Sequence, residues 1–147
     1  MNIVIVGTGN VAHVLGRKIV QGGHDVVQVA GRNAANAGAL AALLRAPAIS
    51  VFADIVTDAD LYIIAVSDAA LADMETWFPV KGNGIIVHTA GSVSKGVLKK
   101  TARRYGVLYP LQSLRSNSAV IPEIPFLIDA DSPDTLRGDP GGLLTGH

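Results

Sequence analysis

His88 is the side chain with the plainest chemistry. An imidazole titrates near pH 6.5, which suits handing a proton to a carbonyl or imine as a hydride reaches its carbon. It opens the polar run His88-Thr89-Ala90-Gly91-Ser92, directly after the apolar Ile85-Ile86-Val87. The same imidazole would also serve as a hydrogen-bonded anchor that shapes this loop. Ser67, Ser92, Tyr109, Gln112 and Ser113 each offer a donor or acceptor to orient a small substrate, or to steady a loop. Asp68 suits a helix cap better than a base. At the N-terminus, Gly7-Thr8-Gly9-Asn10-Val11-Ala12 has the GxGxxA spacing. In such a turn the first glycine permits the bend and the second lets a pyrophosphate approach the backbone. The third small residue lets helix and strand pack closely.

These groups need elements to hold them. Ile3-Val4-Ile5-Val6 predicts a strand buried on both faces, and Asn10 to Gln21 a helix whose start offers unpaired amides and partial positive charge to a phosphate. Gly22 and Gly23 stop that helix, and Asp25 to Ala30 predicts a second strand. At its end a cofactor without a 2′-phosphate meets Asp or Glu, but this chain carries Gly31, Arg32 and Asn33. An arginine fork suits a 2′-phosphate. A charged hydrogen bond of about 1.5 to 3 kcal/mol gives roughly ten- to hundredfold preference for NADP over NAD. Arg32 is otherwise read as an exposed loop cation.

Downstream, Ala34 to Ala46 predicts a helix ended by Pro47, Ala48 to Phe52 a short strand, and Asp54 to Asp60 a loop or single helical turn. Leu61 to Val66 predicts strand four, with Ser67 or Asp68 capping a helix that runs to about Phe78. Ile85 to Thr89, Val107 to Tyr109 and Phe126 to Ile128 predict further strands, with a helix over Val93 to Tyr105 and a loop over Leu111 to Pro125. Strand and helix alternate, which predicts an α/β fold: a Rossmann-type doubly wound, mostly parallel sheet with helices on both faces. In such a sheet ligands lie beyond the carboxyl ends of the strands, where the polar groups named above converge. Residues 1–131 are expected to form this domain. Ser132-Pro133-Asp134 signals a helix start, but Gly138, Asp139, Pro140, Gly141 and Gly142 break it, so 132–147 is expected to be an irregular tail.

Composition narrows the function. The chain has 147 residues, nearly half of them hydrophobic, enough for about one domain with a real core. Twelve basic and twelve acidic residues balance, which argues against a nucleic-acid or membrane surface. The one basic group, Lys99, Lys100, Arg103 and Arg104, reads as a solvated helix face. No cysteine is present, so there is no disulfide framework or thiolate chemistry, and His13, His24, His88 and His147 lack zinc spacing. No metal is expected. The opening apolar run is too short for a signal peptide or a membrane span, so a cytoplasmic location is expected.

The motifs GTGNVAHVLG, AGRN, AVSDAAL, VHTAGSVS and YPLQSL, in that order, resemble bacterial proteins in which a Rossmann-like domain precedes a helical domain of unknown function (number 2520). That group is described as candidate NADP-dependent oxidoreductases. More distantly, the N-terminal half is similar to pyrroline-5-carboxylate reductase, the deazaflavin-dependent NADP reductases and the 6-phosphogluconate dehydrogenase class. The resemblance implies that Gly7, Thr8, Gly9, Asn10 and Val11 line the pyrophosphate and that Arg32 and Asn33 meet the adenosine phosphate. Ser67 and the HTAGS loop then face the nicotinamide. It also implies a C-terminal helical domain that dimerises and closes the cleft, of which residues 132–147 would be a stub. Without that domain, exposed apolar surface near the last strands is expected to drive self-association or homo-oligomer formation. Two activities fit: hydride transfer to or from a small carbonyl or imine, or nucleotide binding without turnover.

Overall fold

The structure, a computed structural model, describes residues 2–79, 84–89, 104–110 and 126–130. Its centre is β1 (Asn2–Val6), whose Ile3, Val4, Ile5 and Val6 have no exposed surface. Helix α1 (Asn10–Gln21) and β2 (Asp25–Ala30) follow. Next come α2 (Ala34–Leu44), β3 (Ala48–Ile49) and a single 3-10 turn at Phe52–Asp54. Strand β4 (Leu61–Ile64) leads into two short helices, α3 (Asp68–Ala72) and α4 (Met74–Trp77). Strands β5 (Ile85–His88), β6 (Arg104–Pro110) and β7 (Phe126–Ala130) complete the sheet.

The seven strands lie in the order β3-β2-β1-β4-β5-β6-β7. Strands β1 to β6 pair in parallel and β7 pairs antiparallel to β6, so the sheet is Rossmann-like and mostly parallel, as its alternating pattern predicts. Successive side chains of a strand point to opposite faces. Ile3, Ile5, Val29, Leu61, Ile63, Ile85 and Val87 therefore build one core with Leu15 and Ile19 of α1 and Leu40 and Leu44 of α2. Val4, Val6, Ala30, Tyr62, Ile64 and Ile86 build another with Leu71, Met74 and Phe78. Each fully buried Ile or Leu contributes about 1.5 to 3 kcal/mol relative to exposure. No helix among the described residues is long and apolar enough to cross a membrane.

The elements differ from expectation in several places, each with a local cause. Helix α2 stops at Leu44 because Arg45 adopts the left-handed conformation (φ 56°, ψ 43°) and lets the Ala46 amide reach back to the Ala41 carbonyl at 3.0 Å. Strand β3 is short because a 3-10 turn takes up the chain from Phe52. The single helix expected over 68–78 is broken at Asp73. A continuous helix would give the Ala70 carbonyl to the amide of Met74; here that carbonyl accepts from the Asp73 amide at 3.2 Å and the Trp77 indole N–H at 2.9 Å. At the far edge β6 starts at Arg104, where a helix through Tyr105 was expected, because Arg104 and Tyr105 pair with Ile85 and Ile86 of β5. The loop expected at 111–125 and the tail at 132–147 lie outside the described residues.

Candidate functional site

The carboxyl ends of β1 to β5 finish level, and β6 runs on past them. In one transverse row Ile49 pairs with Ala30, Ala30 with Val6, Val6 with Ile64, Ile64 with His88 and His88 with Val107. Neighbouring strands lie about 4.8 Å apart, so the row from β2 to β5 crosses roughly 14 Å. Strand order reverses between β1 and β4, the place where open α/β sheets hold their ligands.

Gly7 knits these ends together. Its amide donates to the Ala30 carbonyl at 2.8 Å, while the Ala65 amide donates to the Val6 carbonyl at 2.7 Å. Its φ of +121° suits glycine, and a Cβ there would run into the carbonyl of Ala65. Two residues on, a Cβ on Gly9 would meet nothing within 4 Å, so the backbone faces open space. Gly9 is also the N-cap of α1, with no side chain capping it and no acidic residue in the first turn. Amides that lack a helical partner thus point into that space, a combination suited to a pyrophosphate. Thr8 is half-buried and lies against the end of β2, where a Cβ on Gly31 would fall 2.7 Å from its Cγ2. Asn10 is exposed, and Val11 packs partly into the core.

Arg32 and Asn33 are exposed at the end of β2. The Asn33 side-chain oxygen, Oδ1, accepts from the Asn36 backbone amide at 3.0 Å and caps α2, so that acceptor is engaged in the fold. Arg32 lies over the Phe52 ring, its guanidinium carbon 5.5 Å from the centroid. Ser67 is exposed after β4, where its hydroxyl accepts from the Ala70 amide at 3.2 Å and caps α3. A hydroxyl can still donate while it accepts, so the Ser67 proton remains available to a ligand.

His88 has 0% exposed surface. By the alternation of β5 it shares a face with Ile86, on the side of the sheet that carries α3 and α4. Thr89, next in the chain, is half-buried. Tyr109 lies within β6 opposite Leu127 of β7. Ser92, Gln112 and Ser113 lie outside the described residues. Among the described residues no group of three or more His, Cys, Asp or Glu could hold a metal ion.

Two contributors were missed from sequence. The His13 Nδ1 lies 3.0 Å from the Gly9 carbonyl, steadying the turn; the four-residue spacing at a helix start was the available signal. Phe52, expected to end a strand, stands in the 3-10 turn beneath Arg32, and nothing local announces that contact.

This sheet, with a glycine turn at its reversal point, defines an oxidoreductase-like dinucleotide-binding domain of the Rossmann type. A model of the family described as NADP oxidoreductase, coenzyme F420-dependent, matches residues 2–91, and the chain belongs to that family. Among solved structures it is similar to a candidate NADP oxidoreductase from Bacteroides fragilis, with 31% identity and a TM-score of 0.87 over 97% of this chain and 57% of that one. A 1-pyrroline-5-carboxylate reductase from Streptococcus pyogenes shares the fold at 15% identity, with a TM-score of 0.75 over 99% of this chain and 55% of that one. An arogenate dehydrogenase from Synechocystis does so at 12% identity, with a TM-score of 0.72 over 93% of this chain and 54% of that one. The chain thus spans a little over half the length of each of these structures. No curated protein matches it.

Proposed function

We propose that this chain is the NADP-binding portion of an oxidoreductase that acts on a small carbonyl or imine. The observation that carries the reading is the open approach to the Gly9 backbone at an uncapped helix start, on the strand where the sheet order reverses. Gly7 through Val11 hold the pyrophosphate, and Arg32, with no acidic residue beside it at the end of β2, takes the 2′-phosphate. NADP, when bound, supplies or accepts the hydride. Ser67 donates a hydrogen bond beside the nicotinamide, and the loop after β5 orients the substrate.

The burial of His88 supports a positioning role, because its imidazole has no accessible surface. In this reading it holds the end of β5, from which Thr89 follows.

The test follows NADPH oxidation against small ketones, aldehydes and cyclic imines, with coenzyme F420 included because the family description names it. A positioning role predicts that His88→Ala lowers the rate while the pH profile keeps its shape. Loss of an ionisation between about pH 6 and 7 in that variant would make His88 the proton donor instead. Saturable cofactor binding with no turnover on any of these compounds would favour a binding module.

A further inference from the structure

We infer that Phe52 is a positioning residue that sets the preference for NADPH over NADH by holding Arg32. The inference rests on the NADP reading of Arg32 and adds a residue to it. Arg32 is exposed, and a free arginine side chain loses much rotamer freedom when it is fixed on a ligand. Here the guanidinium carbon already stands 5.5 Å from the centre of the Phe52 ring, within range of the attraction between a cation and an aromatic face. The choice of partner matters. A carboxylate would occupy the N–H donors that a phosphate needs, whereas a phenyl ring has no acceptor and leaves them available. No carboxylate is paired with Arg32 among the described residues.

The ring is itself fixed from two sides. Trp77 packs against it with centroids 4.8 Å apart, and the Trp77 indole is tied to the Ala70 carbonyl at 2.9 Å. The turn that carries the ring is pinned by Gln28, only 5% exposed. Its side-chain amide donates to the Asp54 carbonyl at 3.1 Å and accepts from the Val56 amide at 3.0 Å. Gln28 belongs to β2, which ends two residues before Arg32, so the arginine and its aromatic support share one anchor. The start of α2, next to Arg32 and without an acidic residue in its first turn, adds partial positive charge for an anion held there.

Calorimetric titration of NADPH and NADH into the whole chain tests this, using wild type, Phe52→Leu, Phe52→Tyr and Arg32→Ala. Phe52→Leu should weaken NADPH about two- to fivefold, the range for an exposed cation–aromatic contact, and leave NADH unchanged. Phe52→Tyr should restore the preference, and Phe52→Leu added to Arg32→Ala should change nothing further. The unchanged NADH affinity also reports that the variant is folded; should Phe52→Leu not fold, Phe52→Met makes the same comparison. Equal weakening of both cofactors, or of neither, overturns the inference. A wild-type preference that Arg32→Ala abolishes and Phe52→Leu leaves intact overturns it while sparing the role of Arg32. Absence of any NADPH preference in wild type overturns both.

Discussion

Gly7 and Gly9 are two residues apart and answer to different demands. Gly7 is required by the fold, because its backbone is at φ +121° and the Ala65 carbonyl fills the place of a side chain. Gly9 has an ordinary negative φ of −82° and open space before it, so a methyl there meets only a ligand. Gly7→Ala is therefore expected to cost about 1 to 3 kcal/mol or more, enough to lower the melting temperature by several degrees. Gly9→Ala should melt close to wild type and bind NADPH at least tenfold more weakly. Thermal denaturation and cofactor titration of the two variants check the pair. Similar melting temperatures, or undiminished binding by Gly9→Ala, would contradict this division. The glycine spacing was legible in the sequence, whereas the reason behind each glycine needed the position of β4.

At the scale of elements, the segment between the 3-10 turn and β4 is held by Tyr62. Its hydroxyl donates to the Val56 carbonyl at 2.7 Å and accepts from the Ala59 amide at 3.2 Å, while its ring meets Phe78 edge-on at 5.6 Å. Burial raises its pKa above the ordinary 10.0; the charge of Asp58 pushes the same way and the Ala59 amide opposes. The folded chain thus keeps the phenol proton longer than the unfolded chain does. The stability this confers is fully present below pH 10.0 and is lost as pH rises through the folded value. Urea unfolding from about pH 8 to about pH 11 should show stability falling at the alkaline end. Tyr62→Phe should begin about 1 kcal/mol lower at neutral pH and lose part of that alkaline slope. An unchanged slope would contradict the assignment.

The same scale shows why some elements were legible and others were not. Helix α1 agrees with its expected span, Asn10 to Gln21, because Gly9 and Gly22-Gly23 mark both ends locally. The break between α3 and α4 depends on the Trp77 indole claiming a carbonyl seven residues back, which no local propensity encodes. Arg103-Arg104 reads as a charged helix face, yet pairing with β5 takes Arg104 into a strand. Within the site, Arg32 was identified because it follows the end of a strand. Its contact with Phe52 joins segments twenty residues apart and became visible only in three dimensions.

Across the whole molecule, one level row of strand ends carries the account: Arg32 beyond β2, the glycine turn beyond β1, Ser67 beyond β4 and the His88 loop beyond β5. The proposed reading lays a dinucleotide along this row across the point of reversal, with its adenosine phosphate toward Arg32 and its nicotinamide toward β4 and β5. Family membership establishes the class of domain, and the identity of the cofactor rests on Arg32. Titration of the purified chain with NADPH and NADH, followed by cofactor fluorescence, tests this most directly. The account predicts saturable binding of both, with NADPH tighter by roughly ten- to hundredfold. Tighter binding of NADH, or no saturable signal from either at millimolar concentration, would contradict it.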